Sequence, residues 1–189
     1  MFELESLVAD LQTAIRDSSP QLAVREVVSR AMALPFDELL RALGPCDEAD
    51  LRPLFRSSEL TLLKVTWSPG LAIWPHDHGT WAVIGIYGGV EENRYFRRVP
   101  TGLEHAGDKS LVKGDAALVG HQLIHAVKNP RDVPTATIQV YAGDFFTAPR
   151  SEWDEASGRE SPSSGERTRA LFEAARAQHR GLAEAPRRL

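Results

Sequence analysis

The sequence predicts a mainly β protein, a jelly-roll type of barrel or sandwich built from short antiparallel strands with helices at both ends. Three observations predict it. Apolar residues recur at helical spacing from Glu3 to Leu43. From about Glu59 onward they give way to short β-branched and aromatic runs divided by Gly, Pro and Asp turns. Helical spacing then returns between Arg167 and His179. A chain of 189 residues with 42% hydrophobic content supplies one ordinary core.

The first helix rests on Leu4, Leu7, Val8, Leu11 and Ile15. A second follows the Ser18-Ser19-Pro20 break, with Leu22, Val24, Val27, Val28 and Ala31 on one side and Pro20 at its start, where a missing N–H costs nothing. A third runs from Phe36 to Leu43 and is closed by Gly44-Pro45. The strand runs are LTLLKVTW, WAVIGIYGG, VEENRYFRR, KSLVKGD, AALVG and TATIQVY. The polar stretch SEWDEASGRESPSSGER reads as a surface loop, the segment Arg167 to His179 as a last helix carrying Leu171, Phe172 and Ala175, and GLAEAPRRL as a frayed tail. The expected organisation is one domain: a helical N-terminal region over 1–57, a β-barrel over 58–149, and a loop, helix and tail over 150–189.

Lys+Arg of 22 against Asp+Glu of 26 gives a net charge of −4 with no long basic block, so a nucleic-acid partner is not expected. Trp81 to Val90, the longest strongly apolar stretch, is too short for a membrane-spanning helix, and no membrane association is expected. Glu3 and Glu5 stand where a secretory signal carries Lys or Arg, and the single cysteine, Cys46, cannot form an internal disulfide, which together read as a cytoplasmic protein.

Among the six histidines, His76 and His78 are two apart on an expected strand, so both imidazoles face one interior point while Asp77 faces away or orients the turn. A third imidazole from a distant strand completes a facial set that leaves about half of an octahedral metal open. His125 is the candidate, because it starts H-A-V-K-N on a strand after the Gly114-Asp115 turn. His121 reads as a loop or pocket-rim residue, and His105, in the Thr101 to Asp108 turn region, and His179 as solvated. The strand TATIQVY places Thr137, Gln139 and Tyr141 on one face.

PHDHGTWAVIGIYGG followed by GDAALVGHQLIHAVKN resembles the two motifs of a cupin. The first cupin motif carries His-x-His, usually a Glu a few residues on, and then a Gly. His76 and His78 match and Gly88 or Gly89 closes the motif, whereas Ala82 and Val83 stand where the Glu would fall. The resemblance thus implies three neutral histidines without a carboxylate, the ligand set of thiol dioxygenases of the cysteine dioxygenase and 3-mercaptopropionate dioxygenase type. It covers roughly Leu60 to Arg150 well, including Trp67 before the first motif, and the helical N-terminus in outline.

That resemblance implies mononuclear Fe(II) as cofactor and a small thiol and O2 as the substrates. Three neutral imidazoles leave a divalent metal its full charge, so a thiolate and a second anionic group can bind without accumulating negative charge. The family's Ser-x-His-x-Tyr strand corresponds to Thr137, Gln139 and Tyr141, with Tyr141 retained and Gln139 in place of an imidazole that could exchange a proton near neutral pH. The cysteine–tyrosine cross-link of some relatives has no counterpart, since Val83 or its neighbours occupy that register. Arg150 stands where an arginine holds the substrate carboxylate in 3-mercaptopropionate dioxygenases, a role suited to a guanidinium fork; amino-acid-binding relatives use an upstream arginine, for which Arg52 and Arg56 are the candidates. Trp81 walls the pocket or packs in the core. Tyr95, Arg97 and Arg98 line a pocket mouth or lie on a solvated strand, and Cys46 is a structural residue beside the Gly44-Pro45 turn. Two other readings stay open: a three-histidine cupin cleaving a C–C bond of a diketone, and a cupin that binds a metal or ligand without turnover.

Overall fold

The computed structural model describes residues 2–184, with side chains described to 179. Three helices, α1 (Leu4–Ala14), α2 (Pro20–Met32) and α3 (Phe36–Leu43), precede the strands β1 (Asp50–Arg56), β2 (Leu60–Trp67), β3 (Ala72–His76), β4 (Ala82–Gly88), β5 (Val90–Val99), β6 (Gly102–Val112), β7 (Ala116–Val119), β8 (Ile124–Lys128), β9 (Thr135–Ala142), β10 (Ser151–Trp153) and β11 (Glu160–Pro162), and α4 (Gly165–Glu184) follows. The strands form two antiparallel sheets, ordered β1-β2-β9-β4-β7 and β11-β10-β3-β8-β5-β6. This is the mainly β jelly roll with helices at both ends that the sequence predicts. No described helix is long and apolar enough to cross a membrane.

The first sheet is covered on both faces, and its strand sequences show why. β2 is buried at every position. Leu60 and Leu62 face the N-terminal helices with Val83, Tyr87, Ile138 and Val140, while Leu63, Val65 and Trp67 face the barrel interior with Ala82, Ile84, Ile86 and Tyr141. The helices approach closely because β4 presents Gly85 to α2, where a Cβ would lie 2.6 Å from Val28 Cγ1. At the far end α4 lays Phe172 against Trp67, ring centroids 5.3 Å apart, and its Arg176 Nε donates to the Ala49 carbonyl over 3.0 Å.

Four expectations change. Residues 50–56, expected within the helical region, form β1, which pairs with β2 from Asp50↔Thr66 to Arg56↔Thr61; Pro53 is tolerated because β1 is an edge strand. The expected turn around His105 is part of the edge strand β6, where His105 Nε2 meets Asp108 Oδ1 at 2.8 Å. The expected surface loop at 151–167 contains β10 and β11, and β10 buries Trp153 and Glu152 by adding to β3. Helix α4 runs on to Glu184, so the start of the expected tail at 181–189 is helical and the remainder lies outside the described residues. Cys46 is free and half-buried beside the helical core, with its thiol pushed up by burial.

Candidate metal centre and its cavity

The three histidines come from two segments joined by strand pairing. His76 ends β3 and lies directly opposite His125 of β8, whereas His78 sits two residues past the end of β3. The three ring centroids are 4.7 to 5.3 Å apart, and one nitrogen from each lies within 4.8 Å of the other two. His78 Nε2 and His125 Nε2 are 3.1 Å apart, close to the ~3 Å between neighbouring donors when both bind one ion at about 2.1 Å.

Tautomers follow from the outer partners. The Trp74 carbonyl can only accept, so His76 Nδ1 carries the proton at 2.9 Å and Nε2 is left as the donor to a metal. His125 Nδ1–H donates to Asn93 Oδ1 over 2.7 Å, and Asn93 Nδ2 donates to Glu91 Oε1 over 3.0 Å. His78 Nδ1 is buried and has no partner among the described residues. Burial lowers the pKa of all three imidazoles, those of His78 and His125 well below the ordinary value, with His76 as a second cause for both. The set is neutral near pH 7, so it can take up a divalent ion without first losing protons. These donors fit a divalent transition metal; a hard oxygen-seeking ion such as Ca²⁺ would find no carboxylate.

On the opposite sheet β9 turns Thr137, Gln139 and Tyr141 inward. The Tyr141 hydroxyl donates to Gln139 Oε1, Gln139 Nε2 reaches Thr137 Oγ1 at 3.5 Å, and Thr137 Oγ1 donates to the Val65 carbonyl over 3.2 Å. Burial raises the Tyr141 phenol, so it remains a protonated donor. Its ring meets His78 edge-on at 5.1 Å and stacks on Phe145 at 4.0 Å; the Arg150 guanidinium lies 4.1 Å above Phe145. Arg150 Nη1 donates to the carbonyls of Phe145, at 2.6 Å, and Ala148, at 3.4 Å. Among the described residues no carboxylate forms an ion pair with it. Desolvation lowers its pKa, with the Asp77 and Glu152 carboxylates opposing from beyond ion-pair distance, yet a guanidinium stays charged, so a half-buried cation without a direct ion pair faces the histidines.

Asp77 fixes the two limbs of the site to each other. Its backbone N–H donates to the Ser151 carbonyl and its Oδ1 accepts from Ser151 N–H, both over 3.0 Å, while Oδ2 meets Arg98 Nη2 at 3.5 Å. Gly79, at φ +62, packs so tightly on the same segment that a Cβ would fall 2.1 Å from the Pro149 carbonyl oxygen.

A cavity of about 500 Å³ contains this constellation. His76, His78, His125, Gln139, Tyr141 and Arg150 line it, and so do Leu63, Val65, Trp67 and Phe172. Thr137 lies beneath Gln139 and reaches the cavity only through that amide. Trp81 is not part of it, a correction to its expected place at the substrate: it shares the parity of Val83 and packs under the N-terminal helices. Arg52 donates to the Leu43 carbonyl and lies outside the cavity, whereas Arg56 lines its mouth but is held by Asp144 through two 2.8 Å bonds. Arg97 pairs with Glu104 on the surface, Arg98 and His121 border a separate surface groove, and Tyr95, half-buried on β5, also lies outside the cavity. His179 is half-buried rather than fully solvated.

Sequence reasoning missed Glu91, Asn93 and Phe145. The signal for the first two was period-2 alternation in VEENR, which puts both on one face of a strand between two others. Glu91 is fully buried, and burial raises its carboxyl to about 7, opposed by the Asn93 hydrogen bond. The folded state therefore holds a proton that the unfolded chain, near 4.5, has released. This contribution to stability is full below about pH 4.5, declines through the interval and is gone above about pH 7, a span on the order of 3 kcal/mol. Thermal unfolding of wild type and Glu91→Gln from pH 5 to 8 checks it: the variant should gain relative to wild type as pH rises, and parallel curves would refute the assignment.

No family model and no curated protein matches the chain. Solved structures do. An uncharacterised conserved protein with a double-stranded β-helix domain from Klebsiella pneumoniae is 17% identical over 65% of this chain and 96% of that one, TM-score 0.47. An RmlC-like cupin protein from Methanocaldococcus jannaschii is 11% identical over 53% and 84%, TM-score 0.45, and a cupin domain from Bordetella pertussis is 16% identical over 52% and 97%, TM-score 0.40.

Proposed function

We propose that the protein is a mononuclear non-haem Fe(II) dioxygenase that oxidises a thiol carrying a carboxylate to its sulfinate with O2. The observation that carries this reading is the neutral three-histidine set sharing one cavity with the Arg150 cation, which makes no direct ion pair among the described residues, and the Tyr141 hydroxyl. A bound ferrous ion supplies a +2 site for the thiolate and electrons for activating O2. The overall conversion is R–S⁻ + O2 → R–SO2⁻: two S–O bonds form, the O–O bond breaks, sulfur loses four electrons and dioxygen gains them.

The chain's own residues divide the remaining work. Arg150 binds the carboxylate, and its attachment to the carbonyls of Phe145 and Ala148 sets the direction of the fork. Tyr141 presents its phenolic oxygen to the substrate side of the histidines, held there by Gln139 and by the stack on Phe145. Gln139 supports that hydroxyl without titrating, so the strand supplies hydrogen bonds rather than a proton relay. Apolar walls exclude water from the reacting sulfur.

The test is oxygen uptake and product analysis with anaerobically Fe(II)-loaded protein, given cysteine, 3-mercaptopropionate, mercaptosuccinate or a diketone. Uptake with sulfinate formation from a thiol carboxylate supports the reading, and Arg150→Gln should then raise KM about 10- to 100-fold with a smaller change in kcat, the loss of one charge-assisted contact. Gln139 in place of an imidazole favours a second reading, carbon–carbon cleavage of a chelating diketone, which uptake with the diketone alone would establish. Metal binding without uptake from any of them would point to a non-catalytic cupin.

A further inference from the structure

The cavity is larger than the smallest substrates of the proposed reaction require, and its surplus has a definite chemistry. At the ~30 Å³ that a water molecule occupies in the liquid, the six heavy atoms of 3-mercaptopropionate fill less than ~200 Å³. The cavity measures about 500 Å³, inside the range of about 300–1,000 Å³ typical of sites for drug-sized ligands. The surplus extends along β2. Leu63 pairs with Gln139, Val65 with Thr137 and Trp67 with Thr135, so the wall carries on from the Tyr141 end for roughly 13 Å at ~3.3 Å per residue. Leu63, Val65 and Trp67 line it from β2, Ile73 and Val127 from the other sheet, and Phe172 from α4. Polar groups stand at the histidine end, where Arg150 makes no direct ion pair, and again on α4 around Phe172, where Thr168 and Arg176 are half-buried and Arg169 and Glu173 lie exposed at the rim; the wall between is apolar.

We infer, resting on the thiol reading above, that the substrate is a mercapto acid with an extended apolar body: its thiolate and carboxylate sit at the histidines and Arg150, and a chain or ring runs along Leu63, Val65 and Trp67 toward Phe172. Burying that body releases water from apolar walls on both sides, so each added methylene strengthens binding until the slot is full. Cysteine fits this site poorly: it leaves the slot empty, and among the described residues lining the cavity the one carboxylate, Glu173, stands exposed on α4 rather than at the histidines, where it could meet the ammonium group.

Anaerobic calorimetric titration of the Fe(II)-loaded protein with propionate, octanoate, 3-mercaptopropionate and 3-mercaptooctanoate tests both layers of the argument. The expected result is a Kd at least tenfold lower for the eight-carbon member of each pair, together with a further gain from the thiol at either length. Equal or weaker binding of the long members overturns the inference and leaves the thiol reading standing. A length preference with no gain from the thiol overturns the thiol reading and the mercapto half of the inference, while the apolar slot stands. Val65→Phe should remove the length preference and leave 3-mercaptopropionate within about twofold; Leu51→Phe at the half-buried rim serves the same purpose if Val65→Phe does not fold. A length preference surviving in a folded Phe variant would mean that the chain lies elsewhere and would overturn the placement.

Discussion

His125→Ala is expected to lower affinity for Fe(II) by more than about 100-fold and to abolish turnover, with the barrel still folded. His125 is fully buried, its Nε2 lies 3.1 Å from that of His78, and Asn93 fixes its other nitrogen, so the change removes one of three imidazoles already aimed at a common point. Two imidazoles remain, and without a nearby carboxylate they form no adequate site for a divalent ion. Asn93→Ala gives the graded version: the ligand stays, its orientation is no longer imposed, and affinity should fall about 10- to 100-fold. Metal analysis after dialysis, with circular dichroism to confirm folding, reads both. Full retention of one equivalent of iron by His125→Ala would exclude this cluster as the metal centre.

Gly79→Ala should be the most damaging single-methyl change near the site. Two independent costs add. The φ of +62 is one that alanine adopts only with strain, and the new Cβ would stand 2.1 Å from the Pro149 carbonyl oxygen, which is backbone and cannot swing aside. A loss of about 3 kcal/mol or more is expected, seen as a drop in Tm on thermal unfolding. Any folded fraction should bind a thiol carboxylate more weakly, because the collision pushes the His78 turn away from the Pro149-Arg150 segment. Gly70, with a similar φ of +73 but nothing within 4 Å, is the control: Gly70→Ala carries the backbone strain alone and should cost clearly less. Equal losses at the two positions would mean that contact with Pro149 contributes nothing.

The three-histidine cluster was legible in the sequence because each signal was local: two histidines at the period of a strand, and a third heading a strand after a turn. The inward face of β9 was legible for the same reason. Trp81 was not. It precedes β4, in which Ala82, Ile84 and Ile86 face the interior and Val83, Gly85 and Tyr87 face the helices, and the Gly79-Thr80 turn hides which parity Trp81 joins. One residue of offset moves a side chain to the opposite face of the sheet. The strand β1 was hidden by Pro53 and by alternating charge, and β10 by a polar sequence whose buried members, Glu152 and Trp153, face neighbours contributed from elsewhere in the chain.

The sequence by itself determined the order of helices and strands around a jelly roll, the converging histidines and the Thr137-Gln139-Tyr141 face, since periodicity and turn chemistry act over a few residues. Only the tertiary structure decided that Glu91 and Asn93 stand behind His125, that Phe145 carries Arg150 against Tyr141, and that one cavity runs from the three histidines past Leu63, Val65 and Trp67 to Phe172. Each of these depends on which strands become neighbours across two sheets. The free energy that fixes them is burial of polar and apolar groups against partners dozens of residues away, and no local pattern encodes that pairing.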